Sequence, residues 1–290
     1  MVSETAIPSR AASTPAREAW RAFAGNPAAM AGLALFIVIA LVAGLGPLLY
    51  PVDPFAIVSA PMSPPASDLP LGSDYLGRDV LAGLLDGGRV TLVIGISATC
   101  CTVSIGVLIG AFAGFYGGWI DAVLMRVTEF FQVLPPLLLA MVLVTLFSPN
   151  LMTVIVSIGL VNWTGVARVT RAEFLRIRQQ EFVLAERAMG APTRRIMWRT
   201  ILPNALPSLI VITTLLVGTA ILFEAALSYL GLTDPNVMTW GLMIGQSRNY
   251  IWETWWAVTF PGLAIVLTVL GNCLIGDGLT KALNPATRAR

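Results

Sequence analysis

Long apolar runs constrain this chain more than any other feature of its sequence. A helix needs about 20 mostly apolar residues to cross the hydrocarbon core of a bilayer, and residues 29–50 carry no charge. Similar runs occupy 90–116, 122–147, 150–168, 206–231 and 254–276. Only 12% of the 290 residues are charged, against about 25% in soluble domains. The sequence therefore predicts an all-α, polytopic membrane protein with six transmembrane helices within residues 29–285.

The distribution of arginine predicts which side of the membrane each connecting segment occupies. Cytoplasmic loops are enriched in Lys and Arg. Residues 168–199 hold eight arginines, and further basic residues lie in the N-terminal segment 1–28 and near the C-terminal tail 286–290. Six spans place these regions on one side, whereas the opposite segments, 51–89 and 232–253, hold only three arginines. We therefore expect a multi-pass membrane protein with both termini cytoplasmic and 51–89 as an external loop.

The residue types that usually carry catalysis and metal binding are scarce. The chain has no His, the commonest general base and metal ligand. Its three cysteines, Cys100, Cys101 and Cys273, lie inside apolar runs without metal-ligand spacing. A Gly-rich phosphate loop ending in Lys-Ser or Lys-Thr is also missing from the sequence. We therefore expect an integral membrane subunit that is not an enzyme, with no catalytic residue, metal or cofactor and no nucleic-acid partner.

The N-terminal segment 1–28 contains a short amphipathic pattern. Ala16, Trp20 and Phe23 fall on one helical face, and Arg17 and Arg21 lie off it. This pattern predicts an interfacial helix before the first span. A frayed cytoplasmic tail with a chance pattern is the alternative.

The external loop ends in signals for the start of a helix. Prolines run through it as far as Pro70, so no helix is expected until after Gly77. Arg78 and Asp79 then begin an amphipathic run that leads into the second span. The pair is either a plain helix start, in which the helix dipole favours the acid, or a contact for a protein outside the membrane.

The charged segment between the fourth and fifth spans is longer than a simple connection needs. Residues 171–189 suit a helix, and Gly190 can end it with a positive φ. Pro192 blocks continuation, and a second helix is expected over 193–201, with Thr193 as its N-cap. The mixture of small, apolar and charged residues before Gly190 is typical of a protein–protein contact rather than of burial in lipid.

This segment resembles the cytoplasmic motif of ABC-importer permeases. That motif reads Glu-Ala-Ala, three residues, Gly, nine residues, Ile, one residue and Leu-Pro. The matching positions are Ala185, Gly190, Leu202 and Pro203, and the departures are Leu184 in place of Glu and Thr200 in place of Ile.

Other segments are similar to the second, C-type permease subunit of the dipeptide and oligopeptide family. Residues 71–79 resemble its Leu-Gly-x-Asp-x-x-Gly-Arg-Asp motif, and the stretches 224–232, 240–243, 260–262 and 276–279 are similar as well. The likeness runs from about residue 18 to 285. It is specific for the family and the subunit type, and weak for the substrate.

The resemblance implies half of an importer. The family combines two different permease subunits with two ATPase subunits, which bind ATP and Mg, and an external substrate-binding protein. This chain would form half of the pathway for di- or oligopeptides, with a cytoplasmic coupling helix in the 171–205 loop that sits in a groove of one ATPase. The implied ATPase contacts are Glu181, Phe182, Ala185, Glu186, Arg187, Gly190 and Ala191, and the candidate contacts for the binding protein are Asp74, Arg78 and Asp79.

Acids and prolines inside the predicted spans are the candidates for a pathway or a gate. Glu129 lies three residues after Arg126 on one helical face, so a structural pair, a gate contact and a substrate contact all stay open. Glu224 lies near the outer boundary, where an interfacial anchor and an outer gate both fit. Pro135 and Pro136 are expected to kink the third span, and they either line the pathway or only bend the helix.

Two other functions fit a chain of six spans. Within the family, an importer of nickel or another small solute is the alternative, because its C-type subunits look alike. From a different class, a secondary carrier would be expected to show inverted repeats and ionisable residues at the midplane, and neither is clear here. A membrane enzyme is disfavoured, because it needs a nucleophile, a base or a metal cluster.

Overall fold

The computed structural model describes residues 15–283, and every regular element in that part of the chain is a helix. The prediction of an all-α fold is confirmed. The predicted tail 286–290 and the first 14 residues of the N-terminal segment lie outside the described residues. In chain order the helices are α1 Pro15–Ala24, α2 Pro27–Leu49, α3 Val80–Tyr116, α4 Gly118–Val133, α5 Pro136–Leu146, α6 Leu151–Ile177, α7 Glu181–Ala188, α8 Thr193–Tyr229, α9 Trp240–Ser247 and α10 Trp255–Leu283.

Five of these helices are long and apolar enough to cross a membrane, and a bent pair makes a sixth span if it is counted as one. The pair is α4 and α5, whose axes meet at 89°. Pro135 and Pro136 lie at the break and remove two consecutive N–H donors, and Leu134 before them is extended. The expected kink in the third span is therefore a full break.

The helices extend beyond the apolar runs that predicted them. α3 begins at Val80, so the external loop ends at Asp79 and not at residue 89. Helices occupy most of the 171–205 loop as expected, but two of them are parts of longer helices: α6 continues to Ile177 and α8 begins at Thr193. Hydrophobicity marks only the part of a helix that lies in lipid, whereas these extensions are stabilised by packing on protein: Val80 is 1% and Phe174 0% exposed.

Small residues hold α3 and α6 together. Gly106, Gly110 and Gly114 recur every four residues on α3 and therefore share one face. A side chain at Gly110 would collide with the Ala167 carbonyl oxygen and the Thr170 side chain of α6. In a bilayer, where lipid tails are as apolar as the side chains, close backbone approach of this kind supplies the packing energy between helices.

The predicted N-terminal helix α1 is present, but the aromatic residues on its apolar face differ in exposure. Phe23 is 4% exposed and packs with Ala29 of α2 and Ala282 of α10, while Trp20 is 57% exposed and stacks on Phe23 at 5.8 Å. One predicted interfacial residue is therefore buried against protein, because α10 ends beside it.

Hydrogen bonds tie the proline-rich loop to α9 and α10. The Trp256 Nε1–H of α10 donates to the Ser73 carbonyl oxygen at 3.0 Å, and Arg78 Nη1 donates to Gln246 Oε1 of α9 at 3.3 Å. A second indole hydrogen bond, from Trp240 Nε1–H to the Leu84 carbonyl oxygen at 2.9 Å, joins α9 to the start of α3. The loop is therefore a folded cap on α9 and α10 and not a free connection.

The glycine contact between α3 and α6 gives a stability prediction. Gly110→Val should lower the thermal unfolding temperature in detergent, since overpacking a tight contact costs about 1–3 kcal/mol. Gly165→Val is the matched control, because Gly165 lies on α6 with open space at its Cβ position. Equal unfolding temperatures for the two variants would contradict a close α3–α6 contact.

Candidate functional site

The arginine-rich end of the bundle carries a short helix and a sharp corner. The helix is α7, and Gly190 follows it with φ +79°. The Ala191 N–H closes the turn on the Glu186 carbonyl oxygen at 3.1 Å. This corner is the predicted one, and Pro192 follows it in an extended conformation.

The helix predicted over 171–189 is not continuous, because the chain breaks at residues 178–180. Arg178 lies at the break, and its Nη1 donates to the carbonyl oxygens of Gly114 and Phe115 at 3.0 Å each. These acceptors belong to the last turn of α3, where carbonyl groups lack helical donors. Gln180 is then extended and α7 starts afresh at Glu181.

α7 presents an apolar surface, and its side chain at position 183 is buried against α8. Val183 is fully buried against Ile196 and Ile201 of α8. On the other faces Phe182 is 47% and Met189 78% exposed. Glu181, Ala185, Arg187 and Gly190 are exposed as well. Exposed apolar side chains grouped on one short helix indicate a protein contact.

Two of the predicted contact residues act instead, at least in part, within the chain. The Thr200 Oγ1 donates to Glu186 Oε2 at 2.8 Å, which ties α7 to α8. The Arg187 guanidinium lies 5.8 Å from the centre of the Phe115 ring, which ties α7 to the end of α3. Ala191 is half-buried in the apolar cluster below the corner.

The second helix does not end at residue 201 as predicted. Thr193 is its first residue and not its cap, and the chain runs on through a π-helical turn, Ile196–Ile201, into the fifth span. The Leu202 N–H donates to the Met197 carbonyl oxygen, the spacing of a π turn. Pro203 has no N–H for an α-helical bond, and π turns of this kind often mark functional positions.

The pathway candidates lie in separate places. Arg126 Nη1 and Glu129 Oε2 are 3.3 Å apart on α4, and their side chains are 85% and 63% exposed. Pro135 and Pro136 are exposed at the α4–α5 break. Glu224 is far from both in the chain and is fully buried in α8. The structure therefore brings none of these groups into one site.

Glu224 belongs to a buried hydroxyl cluster near the C-terminal end of α8. The Ser228 Oγ donates to Glu224 Oε1 at 2.6 Å and lies 2.9 Å from Thr233 Oγ1 and 3.3 Å from Thr239 Oγ1. Thr239 also caps α9 by accepting from the Leu242 N–H. This arrangement is that of a loop anchor. A role of Glu224 in a gate stays the alternative prediction.

The residues predicted to contact an external protein form hydrogen bonds within the chain. Asp79 is 3% exposed, caps α3 by accepting from Leu81 N–H at 2.8 Å, and accepts from the Tyr50 hydroxyl at 2.6 Å. Asp74 Oδ1 accepts from the N–H groups of Leu76 and Arg78. Asp79 is therefore not available to a partner at the surface, because it is buried and its two oxygens accept from the first turn of α3 and from Tyr50.

Arg78 is half-buried beside this cap. Its guanidinium lies 5.2 Å from the centre of the Phe55 ring, and its Nη1 donates to Gln246 Oε1 at 3.3 Å. Ser73, one of the loop residues expected at the surface, is fully buried and donates to the Ala60 carbonyl oxygen.

Sequence reasoning missed the residues that connect these elements over long distances. Arg178 contacts Gly114 across 64 positions, and Trp256 contacts Ser73 across 183. No local pattern signals either pair. Tyr50 did carry a signal, because an aromatic hydroxyl at the end of a span tends to find a hydrogen-bond partner.

Comparison with known proteins defines the class. Residues 106–289 match the family described as binding-protein-dependent transport system inner membrane component, and residues 14–68 match the N-terminal transmembrane domain of oligopeptide transport permease C. The chain therefore belongs to the family of binding-protein-dependent transport system inner membrane components, and it is the permease subunit of an ABC importer. The alternatives of a secondary carrier and a membrane enzyme are set aside.

Individual relatives narrow this class. The chain is 38% identical to the di/tripeptide transport system permease protein DppC of Pseudomonas aeruginosa over 96% of its own length and 94% of that protein. It is 38% identical to the dipeptide transport system permease protein DppC of Bacillus subtilis, over 94% and 86% of the two chains. A chain of the inward-facing MetNI methionine ABC transporter shares its fold, with a TM-score of 0.59 and 21% identity over 70% of this chain and 96% of that one.

The Tyr50–Asp79 contact gives a pH prediction. The hydrogen bond to the Asp79 carboxylate, with partial burial and the nearby negative charge, raises the pKa of Tyr50 to about 12 from a usual value of about 10. The folded state holds this proton more tightly than the unfolded chain. The stabilisation is therefore fully present below about pH 10 and is lost as pH rises towards 12.

The measurement is an ultraviolet absorbance titration of the purified protein between neutral pH and pH 13. The difference between wild type and Tyr50→Phe isolates this phenol, and its midpoint should lie near 12. Asp79→Asn should return it towards the usual value of about 10. A midpoint unaffected by Asp79→Asn would show that the two groups do not interact.

Proposed function

We propose that this chain forms half of the pathway of an importer for di- and oligopeptides in a bacterial inner membrane. Its proposed partners are a second, different permease, two ATPase subunits and an external substrate-binding protein. The observation that carries the proposal is α7: a short helix with an exposed apolar surface, turned at Gly190 and fastened to two long spans. The names of the relatives at 38% identity support peptides as the substrate class.

α7 is built to pass force to two spans at once. Its neighbour Arg178 holds the end of α3, and Glu186 bonds to Thr200 in the π turn of α8. Val183 locks the helix into the apolar cluster below it. A displacement of α7 would therefore move α3 and α8 together. α3 follows the proline-rich loop directly, and α8 contains Glu224.

ATP and Mg are proposed to bind the ATPase subunits alone, because no phosphate-loop motif occurs in the sequence. The free energy of ATP hydrolysis would reach this chain only through contacts at α7. Phe182, Ala185, Arg187 and Met189 offer the exposed surface for that contact.

The pathway is proposed to pass the α4–α5 break. The exposed prolines there leave backbone carbonyl groups of α4 without helical partners, and Glu129 lies on the same helix. Such groups suit the amide and ammonium groups of a peptide. Nickel or another small solute is the alternative substrate. Residues 15–283 hold no cluster of metal ligands, so under this alternative the binding protein, and not this chain, would select the substrate.

A charge on the exposed face of α7 should uncouple transport. In the complete transporter, Ala185→Glu should leave assembly intact and lower ATP-driven dipeptide uptake at least about tenfold, because a buried unpaired carboxylate at an interface costs several kcal/mol. Ala185→Ser is the matched control and should transport normally. The measurement is uptake of labelled dipeptide into vesicles together with ATP hydrolysis.

Normal uptake by Ala185→Glu would remove α7 from the ATPase contact. Wild-type vesicles that accumulate Ni²⁺ and no dipeptide would instead favour the alternative substrate and leave the contact in place.

The orientation can be tested by cysteine labelling from outside the cell. In a background without the three natural cysteines, Ser67→Cys should react with an impermeant maleimide, because residue 67 is exposed at the tip of the proline-rich loop. Ser73→Cys in the same loop is the matched control and should not react, since Ser73 is fully buried. Labelling of Ser67→Cys only after the membrane is broken would invert the topology.

A further inference from the structure

A strongly basic cavity lies at the start of α8, next to α7. Its volume is about 750 Å³, and it is lined by Pro192, Arg194, Arg195, Trp198 and Arg199. The three arginines are exposed, and none forms an ion pair with another residue in the described part of the chain. Three unpaired guanidinium groups around one cavity favour an anion, and guanidinium suits the oxygens of a phosphate group in particular.

An apolar groove lies further along the same helix. It has a volume of about 440 Å³ between α3 and α8, with Val107 and Leu108 on one wall and Leu202, Leu206 and Ile210 on the other. It extends to Thr213, about 16 Å from Leu202 at 1.5 Å per residue. That length is within a transmembrane span and suits a hydrocarbon chain.

The cavity and the groove are consecutive. Trp198 stands four residues before Leu202, and its ring packs edge-on against Phe112 at 6.4 Å. Phe112 in turn lies one helical turn after Leu108 on α3. Trp198 and Phe112 therefore mark the boundary between the basic and the apolar part, and Trp is the residue enriched at the level of lipid headgroups.

We propose that α8 and α3 bind an anionic phospholipid at this position. The phosphate group would contact Arg194, Arg195 and Arg199, and one acyl chain would lie along Leu202, Leu206 and Ile210. Charge complementarity selects the headgroup, and the groove selects a hydrocarbon chain. An ATPase subunit could cover the arginines but could not fill a groove inside a span, and a second permease could fill the groove but would not explain the unpaired arginines.

The position of the lipid gives it a consequence for transport. The cavity includes residues of the π turn, the part of α8 that Glu186 of α7 contacts through Thr200. A bound anionic headgroup would reduce the repulsion among the three arginines at this turn. The lipid would therefore stabilise the turn to which α7 is fastened.

The test uses the complete transporter in bilayers that contain either chain-brominated phosphatidylglycerol or chain-brominated phosphatidylcholine. Bromine quenches tryptophan fluorescence on contact, and the difference between wild type and Trp198→Phe isolates the signal of Trp198. The phosphatidylglycerol should quench that signal at about tenfold lower mole fraction, because the arginines attract its anionic headgroup and not the zwitterionic one. Replacing Arg194, Arg195 and Arg199 with Gln should remove this preference, and Arg89→Gln, an exposed arginine at the other end of α3, should keep it.

Several outcomes would overturn the proposal. Equal quenching by the two lipids in the wild type would do so without any variant, so the test does not depend on the triple substitution assembling. A preference abolished by millimolar inorganic phosphate would show a site for free anions and not for lipid. A Trp198 signal quenched by neither lipid would show that a protein subunit covers the cavity.

Discussion

The close contact between α3 and α6 is the interaction on which the rest of the structure depends. Glycines on α3 let the two backbones approach, and this contact lies in the region where lipid offers helices no hydrophobic reason to associate. α3 and α8 are the longest described helices, with 37 residues each. Elements at both ends of the helix bundle are attached to α3.

Each end of α3 is completed by a residue from a distant part of the chain. At one end Asp79 caps the first turn and receives the Tyr50 hydroxyl. At the other end Arg178 donates to the last carbonyl groups. Helix ends carry unsatisfied backbone groups, and these contacts satisfy some of them at each end of α3. They therefore fix the positions of the proline-rich loop and of the corner at α7 relative to α3.

A paired charge secures the broken span against this frame. Arg171 of α6 and Asp121 of α4 form a two-bond contact at 2.5 and 2.7 Å. It holds α4 on the side of the double proline nearer to α7, and α5 packs separately on α6 beyond the break through Ala140 and Val144. The two halves of the broken span are therefore attached to α6 separately.

The sequence by itself determined the helical class, the positions of the apolar spans, a bend at Pro135 and Pro136, and the corner at Gly190. These features depend on hydrophobicity over about 20 residues or on the φ restrictions of single residues, and both are local. Only the tertiary structure decided that Asp79 and Ser73 are buried, that Arg178 ends α6, and that α8 runs unbroken from Thr193 through a π turn into its span. The burial of Asp79 and Ser73 and the position of Arg178 depend on partners far away in the chain, because a polar group that leaves water must find a hydrogen bond wherever the fold supplies one.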